Sequence, residues 1–519
     1  MTPLSSAQKG RLSVFLMMTA VFCILFAGMP KDFYRGDAVS IKMSAIYWVN
    51  TGSFGFAPKD HHLIEPLLES EGQYYILNPA NNRYYPRWEV LNGVLHAVPE
   101  LFQRHRTLKP TPEVIFRHNV FNALLGSVVA GLLLFLASFI TPRKIAGALF
   151  VCAVLFASYE WNYLRAQTKE IFLLLFVFAM MAGFWAAWGA FQRGERLRFY
   201  ALTVCWNVAA VAMCLISCIY HVGYLMVILL WGFLLFQRNV QRMRQPGEGS
   251  LVQQIWQCVL SHRHHFLILG GFLALSVVLT EWAALVRYDS WHPQGISWSF
   301  RTRQIGDSIF GWQNIFQRMN DYLMVESFQV ALHCPLLFVA ATYWRSFWRD
   351  HKNQALYVLA FGGSMFFAFC CFEGVGEWAY GPRFLVPLLP LFALPACVFF
   401  DRFMAGASTA ASKASGVVVL GLLMYCTALQ LEMNKYPFFH FYEIGPMLET
   451  MEGIQLADDY KRHHHLFFLK KLKAIANGAD ADGALGPTYE GWPDPIKTRF
   501  QSALKHRLFP EGENHFFFQ

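Results

Sequence analysis

Apolar residues in this chain come in blocks of about 20, the length a helix needs to cross the hydrocarbon core of a bilayer. No other feature narrows the fold so far. A block such as 119–140, NVFNALLGSVVAGLLLFLASFI, holds no charge at all. In lipid its backbone polar groups must be bonded within the segment, which a helix does. The chain carries 15% charged residues, well below the roughly 25% usual in soluble domains. Its mean hydropathy is +0.32. The pattern predicts an all-α integral membrane protein.

Predicted spans fall at 12–29, 119–140, 145–159, 170–190, 200–217, 219–236, 266–286, 328–344, 355–372, 384–400 and 416–431, about eleven transmembrane helices. The first resembles a signal sequence but has no clear small-x-small cleavage site, so it reads as a retained span. Between the fifth and sixth only Cys218–His221 offers a weak turn. Residues 1–431 form a polytopic domain, and residues 432–519 a helical tail outside the membrane, external if the span count is odd.

Lysine and arginine set the orientation. Lys9/Arg11, Arg143/Lys144, Arg193/Arg196/Arg198, Arg238/Arg242/Arg244/Arg263, Arg345/Arg349/Lys352 and Arg402/Lys413 alternate correctly and mark the cytoplasmic side. The loops 30–117, 160–169, 287–327 and 373–383 are then external. This predicts a multi-pass protein of the plasma (inner) membrane, N-terminus cytoplasmic. Asp37, Glu160, Arg165, Lys169, Glu170, Glu281, Arg287, Glu373, Glu377 and Arg383 all collect at the external ends. A transporter or channel more often buries such groups at midplane. Gathering them at one surface points to chemistry there, on a substrate reachable from lipid.

The long first loop has its own order. Residues 37–50 read as a short juxtamembrane helix. Residues 87–102 read as a second, with Trp88, Leu91, Leu95, Val98 and Phe102 in an apolar stripe suited to the interface plane. Between them QYYILNPANNRYYPRW reads as a hairpin or turn. In the tail, DYKRHHHLFFLKKLKAIA is a basic amphipathic helix suited to lie on lipid.

Several residue sets carry candidate chemistry. Asp37, after a glycine and before a helical pattern, is a favoured N-cap contributing about 1 kcal/mol. A carboxylate there can also take the proton of an attacking hydroxyl. Arg383 follows Pro382 at a helix start, where free N–H groups and a guanidinium suit phosphate; the plainer role is snorkelling to headgroups. Glu170 in a first turn complements the helix dipole. Lys169 and Arg165 could contact a phosphate or serve as boundary charges. Glu281 lies about one turn inside its span, with Arg287 placed to pair with it. Asp60, His61, His62 and Glu65 have ligand types at helical spacing but no accompanying metal motif.

Other classes find no support. The 11 cysteines avoid the loop 30–117 and form no CxxC, so they read as packing. His463–His465 and His262/His264/His265 sit in basic segments facing water or headgroups. GxxxxGK[ST], GxSxG and HExxH are absent. Basic runs occur only at membrane edges, which does not imply nucleic acid.

FYRGDAVSIKMSAIYWVNTG resembles the first-loop signature of the C-type (GT-C) polytopic glycosyltransferases, with Gly36, Asp37 and Gly52 matching. GQYYILNPANNRYYPRWEVLNGVLHAVPELF is similar to the later part of that loop. WAYGPRFLVPLLPLFALP resembles their late-span pattern through Tyr380, Gly381, Arg383, Phe384, Pro387 and Pro390. The charged start of the fourth span, with Glu170, is also similar. The resemblance implies inverting transfer of a sugar from a polyprenyl-phosphate donor to a glycan, lipid or protein of the cell envelope, outside the cytoplasm. Asp37 would activate the acceptor, and Arg383 would hold the donor phosphate as it leaves. Ala38 stands where many relatives have a second acid, and Ser40 where many have an aromatic residue, so a divalent-metal requirement stays open. The WWDYG signature of oligosaccharyltransferases is absent.

Two rival readings remain. An O-antigen-type polymerase or ligase would favour arginines and histidines in a large late loop, where Arg301 and Arg303 stand. A lipid-linked substrate transporter or flippase would line a midplane path with charge, and no such path is legible.

Overall fold

The computed structural model describes residues 6–30, 37–65, 75–78, 80–86, 90–102, 108, 110–165, 168–242, 251–288, 314–325, 329–371, 382–406, 410–434, 465–477 and 494–505. Among these, seven helices are long and apolar enough to cross a membrane: Pro112–Ala137, Lys169–Arg193, Arg196–Ile216, Cys218–Val240, Arg263–Arg287, Lys352–Cys370 and Ala414–Met433. Each answers a predicted span. So does the helix Ser6–Ala27. The weak turn between the fifth and sixth spans is real. Ser217 is extended (φ −156°, ψ 113°), a 3-10 turn Cys218–Tyr220 follows, and His221–Arg242 runs on.

Three predicted spans take another form. The span at 145–159 is the helix Lys144–Phe156, whose 13 residues cover only about 20 Å of a hydrocarbon core about 30 Å thick. The span at 328–344 is a single turn, Val330–His333, and a helix Leu336–Asp350, parted at Cys334-Pro335. The span at 384–400 is broken into Arg383–Leu385, Leu389–Ala393 and Ala396–Met404. Pro387, Pro390 and Pro395 each remove an amide donor and crowd the preceding turn. The broken segment survives because it is wrapped in protein: Leu385, Val386, Leu388, Leu391 and Leu394 are fully buried. Short-range bonds replace the helical ladder, as from Leu388 N to Leu385 O (2.8 Å) and Leu391 N to Leu388 O (3.0 Å).

Small residues let the spans approach. A Cβ at Gly126 would collide with Leu25 of the first helix, and one at Gly183 would lie 2.7 Å from Trp206 Cβ. The latter contact closes the antiparallel pair Lys169–Arg193 and Arg196–Ile216. These helices are joined at Gly194, whose φ of 76° is the left-handed conformation glycine permits. Peripheral helices turn apolar side chains outward, as at Val278 and Trp282 or Val417 and Met424, where lipid would meet them.

The loop between the first two spanning helices folds on its own small core of Met43, Ile46, Tyr47, Phe56, Ile64, Tyr75, Val114 and Ile115. Its first helix is Asp37–Thr51, close to the expected 37–50. The predicted hairpin forms as two antiparallel strands, Tyr75–Asn78 and Arg83–Pro86, with Tyr75 opposite Pro86 and Asn78 opposite Arg83. Asn82 supplies the left-handed turn residue at φ 53°. The hairpin is a strap. Tyr75 Oη donates to Ser40 O (2.8 Å), and Asn78 Nδ2 donates to Arg287 O (2.9 Å) at the end of a span.

The second loop helix is Val90–Ala97, continued as a 3-10 turn through Pro99 to Phe102. Its inward face is polar, with Asn92 and His96 buried, while Leu101 and Phe102 stand exposed. That inversion suits a helix beside lipid. Trp88 lies outside the described residues. In the tail the expected basic helix forms at His465–Ala476, but Leu469, Leu472 and Ile475 are buried. The helix Asp494–Ala503 packs beside it, and Gln501 Nε2 donates to Ile475 O (3.0 Å). Those buried positions face protein, where the sequence alone predicted a lipid contact.

Candidate functional site

The boundary charges sort to two ends of the bundle. Glu170 opens the helix Lys169–Arg193 and Arg193 closes it, so the two lie a whole span apart. At the Arg193 end, Arg143 Nη1 pairs with Asp401 Oδ2 (2.7 Å) and Arg193 Nε with Glu195 Oε1 (2.6 Å). At the Glu170 end Glu160, Arg165, Glu170, Arg287 and Arg383 are buried.

Arg383 Nε donates to Glu170 Oε1 at 2.7 Å, with side chains 9% and 3% exposed. Pro382 places Arg383 on the first turn of the broken segment, and Tyr159 Oη fixes that turn by donating to Pro382 O (3.1 Å). Phe384 stacks on Phe369 with centroids 5.8 Å apart. Among the described residues the second oxygen of Glu170 has no hydrogen-bond partner. The guanidinium is therefore oriented before any ligand arrives, and the pair retains an acceptor.

Arg165 does something else. It is 1% exposed and donates from Nη1 to Asn434 O (2.5 Å) and Gly28 O (3.3 Å), carbonyls at the ends of two separate helices. It ties the first helix and Ala410–Met433 to the turn Glu160–Arg165. Lys169 is half-buried at the helix start.

Glu160 is the residue that sequence reasoning left among the boundary charges. It is 1% exposed, and neither carboxylate oxygen has a hydrogen-bond partner among the described residues. Burial pushes its carboxyl well above the usual range. Tyr159 precedes it, and Tyr220 lies in the field of both Glu160 and Glu170. No spacing in the sequence distinguishes this acid; its isolation becomes visible only in three dimensions.

A second polar cluster underlies the helix Asp37–Thr51. Lys42 is fully buried, and that burial lowers its pKa well below the ordinary lysine value. His96 and His118 lie beside it, ring centroids 6.4 Å apart. His118 Nε2 lies 2.7 Å from Glu100 Oε1, and Arg117 Nη2 pairs with Glu100 Oε2 at 3.4 Å. The edge contact of His96 on Phe172 (5.0 Å) joins this cluster to the helix of Glu170, two residues away. The acid-bearing loop helix and the Glu170–Arg383 pair thus share one end of the molecule.

Asp37 begins the helix Asp37–Thr51. Its side chain, and all of Tyr380, Arg301 and Arg303, lie outside the described residues. Glu281 is half-buried, and the expected pairing with Arg287 does not form: Arg287 Nε donates to Ala283 O (3.1 Å) and Nη1 to Pro86 O (3.5 Å). The helix end and the strap satisfy it instead. Beside it lies an apolar cavity of about 150 Å3 walled by Leu91 and Val94 of the loop helix and by Leu279 and Ala283 of the span. Among the described residues no group of three or more His, Cys, Asp or Glu is arranged to hold a metal. Asp60 Oδ2 accepts from Tyr47 Oη (2.7 Å), and His61 sits edge-on to Tyr84, so this sequence cluster braces the loop.

A many-helix bundle with a helical, strap-bearing first loop and a buried acid–arginine pair at one membrane end defines a polytopic membrane protein of the GT-C fold. ArnT from Cupriavidus metallidurans bound to undecaprenyl phosphate has a similar structure, with TM-score 0.51 and 13% identity over 96% of this chain and 77% of that one. The archaeal oligosaccharyltransferase AglB from Archaeoglobus fulgidus, in complex with an inhibitory peptide and a dolichol-phosphate, matches with TM-score 0.50 and 11% identity over 99% of this chain. The match spans 62% of AglB, less than two thirds of its length. No family model and no curated protein matches the sequence.

Proposed function

We propose that this chain is a membrane glycosyltransferase that moves a sugar from a polyprenyl-phosphate donor to a hydroxyl-bearing cell-envelope acceptor at the extracytoplasmic face. The observation that carries this reading is the buried Glu170–Arg383 pair at the same membrane end as the helix begun by Asp37. The ArnT structure holds undecaprenyl phosphate and the AglB structure a dolichol-phosphate, which supports the donor class.

In the reaction the acceptor oxygen attacks the anomeric carbon from the side opposite the phosphate. A new C–O bond forms as the bond to the phosphate oxygen breaks, which inverts the centre. Asp37 takes the acceptor proton. The departing phosphate keeps the electron pair, and its growing charge is met by Arg383, held in place by Glu170 so that little reorganisation is needed. Lys169, at the start of the same helix, adds positive charge at that surface. Arg165 holds the helix ends in place around the site.

The test is reconstitution in vesicles with a panel of polyprenyl-phosphate sugars and envelope acceptors. The reading requires product from at least one donor, loss of turnover in Asp37→Asn with donor binding kept, and weakened donor binding in Arg383→Ala. Full turnover in Asp37→Asn would reduce Asp37 to a helix cap and overturn the mechanism.

A further inference from the structure

At the Arg193 end, far from the proposed site, the helix Leu251–Ser261 stands between two spans, Cys218–Val240 and Arg263–Arg287. Its sequence, LVQQIWQCVLS, divides cleanly at 100° per residue. Val252, Ile255, Trp256 and Leu260 fall on one side; Gln253, Gln257 and Ser261 fall on the other. Cys258, on the flank between them, is the buried position that holds the helix to the bundle. On the apolar side Val252 is 74%, Ile255 47%, Trp256 62% and Leu260 51% exposed, with Val259 half-buried among them. A contiguous bare stripe of this kind requires an occupant.

Position and charge identify it. The helix is followed at once by the spanning helix Arg263–Arg287, so it is held at the depth where a span leaves the bilayer. Eleven residues are too few to cross. Trp256 on the stripe is the side chain that favours headgroup depth. Exposed arginines surround it: Arg263 directly after the helix, and Arg196 and Arg198 at the start of the span Arg196–Ile216; the acid beside them among the described residues, Glu195, is already paired by Arg193 and Arg198.

We infer that Leu251–Ser261 is an in-plane membrane helix whose Val252–Leu260 stripe is buried in the acyl region of the leaflet at that end, with Arg263 and Arg196 of the neighbouring helices on anionic headgroups. The ligand of this surface is an anionic lipid bilayer. It gives the linker between two spans a lipid contact independent of the sugar-transfer site.

Photo-crosslinking of the full chain tests this. A diazirine amino acid replaces Trp256 in one protein, Leu260 in a second and Gln257 in a third. Each is reconstituted in phosphatidylcholine alone or mixed with phosphatidylglycerol, irradiated and read by peptide mass. Positions 256 and 260 are expected to carry lipid adducts and position 257 far fewer. In the mixed vesicles phosphatidylglycerol adducts should exceed their mole fraction severalfold, and Arg263→Gln with Arg196→Gln should return them towards it. Adducts at 256 to a second copy or another protein, or equal lipid labelling at 256 and 257, would overturn the in-plane placement. Phosphatidylglycerol adducts at the mole fraction in the unaltered chain would overturn the anionic assignment.

Discussion

Arg383 Nε and Glu170 Oε1 meet at 2.7 Å across 213 positions of sequence. The contact joins the first turn of a proline-broken segment to the first turn of an unbroken spanning helix. Removing two charges from water is costly, and a buried pair offsets this only when its geometry is good and further hydrogen bonds are made. Here one carboxylate oxygen has no hydrogen-bond partner among the described residues. A pair so placed is a weak device for stability alone and a good one for holding a guanidinium in a fixed direction.

Breaking the pair should therefore separate stability from binding. Arg383→Ala or Glu170→Ala strands one buried charge, with an expected loss of about 3–5 kcal/mol. The double replacement Glu170→Gln with Arg383→Gln removes both charges and should recover most of that loss. Thermal unfolding in detergent reads the recovery, and donor binding is measured on the same samples. Stability should return while donor binding does not. Binding that returns with stability would make Arg383 a structural residue only.

Asp37→Asn keeps the shape of the side chain at the first residue of the helix Asp37–Thr51 and removes only its charge. Folding should be unchanged. Turnover should fall by about 100- to 10,000-fold, the usual contribution of a positioned general base. Donor KM should stay within twofold. Steady-state transfer with varied donor and acceptor separates the two parameters.

Most spans were legible because an unbroken apolar block of about 20 residues has one stable form in lipid. The segment 384–400 was misread for the same reason: its apolar run is continuous, but Pro387, Pro390 and Pro395 break the helix, and surrounding protein allows it. Glu170 looked like a dipole-complementing residue because nothing in the local sequence points to Arg383. Arg165 and Glu160 look alike in sequence as boundary charges; one donates to two helix-end carbonyls and the other has no hydrogen-bond partner among the described residues. Such differences arise from tertiary packing and leave no mark on spacing. The hairpin was legible because Asn-Pro and Asn-Asn carry turn chemistry in themselves.

The apolar cavity beside Arg287 offers a place for the first isoprene units of the proposed donor, since the phosphate is attached directly to that chain. Its volume, about 150 Å3, matches what suffices elsewhere for a benzene-sized guest. Ala283→Trp should fill it. Excluding about two methylenes at ~0.8 kcal/mol each raises donor KM about tenfold. The kcat should hold. A donor shortened to one isoprene unit should show a smaller difference between the variant and the parent. Unchanged KM for the long-chain donor would place the chain elsewhere.

Glu160 should give the protein a pH-dependent stability of its own. Its folded-state carboxyl is raised well above the ordinary 4.5 by burial, with no hydrogen bond to hold the charged form. Below about pH 4.5 both folded and unfolded chains carry the proton, and the group costs nothing extra. As pH rises past 4.5 the unfolded chain releases its proton first while the folded one keeps it. Stability then falls by up to about 1.4 kcal/mol per pH unit until the folded carboxyl also titrates. Glu160→Gln has no proton to release and nearly the same shape, so it should match the parent at pH 4 and exceed it progressively at higher pH. Thermal unfolding in detergent between pH 4 and 9 reads the difference. A cation bound at Glu160 would reverse the slope by favouring the carboxylate, so a parent that gains stability relative to Glu160→Gln as pH rises would show the acid to be charged and partnered in the working protein.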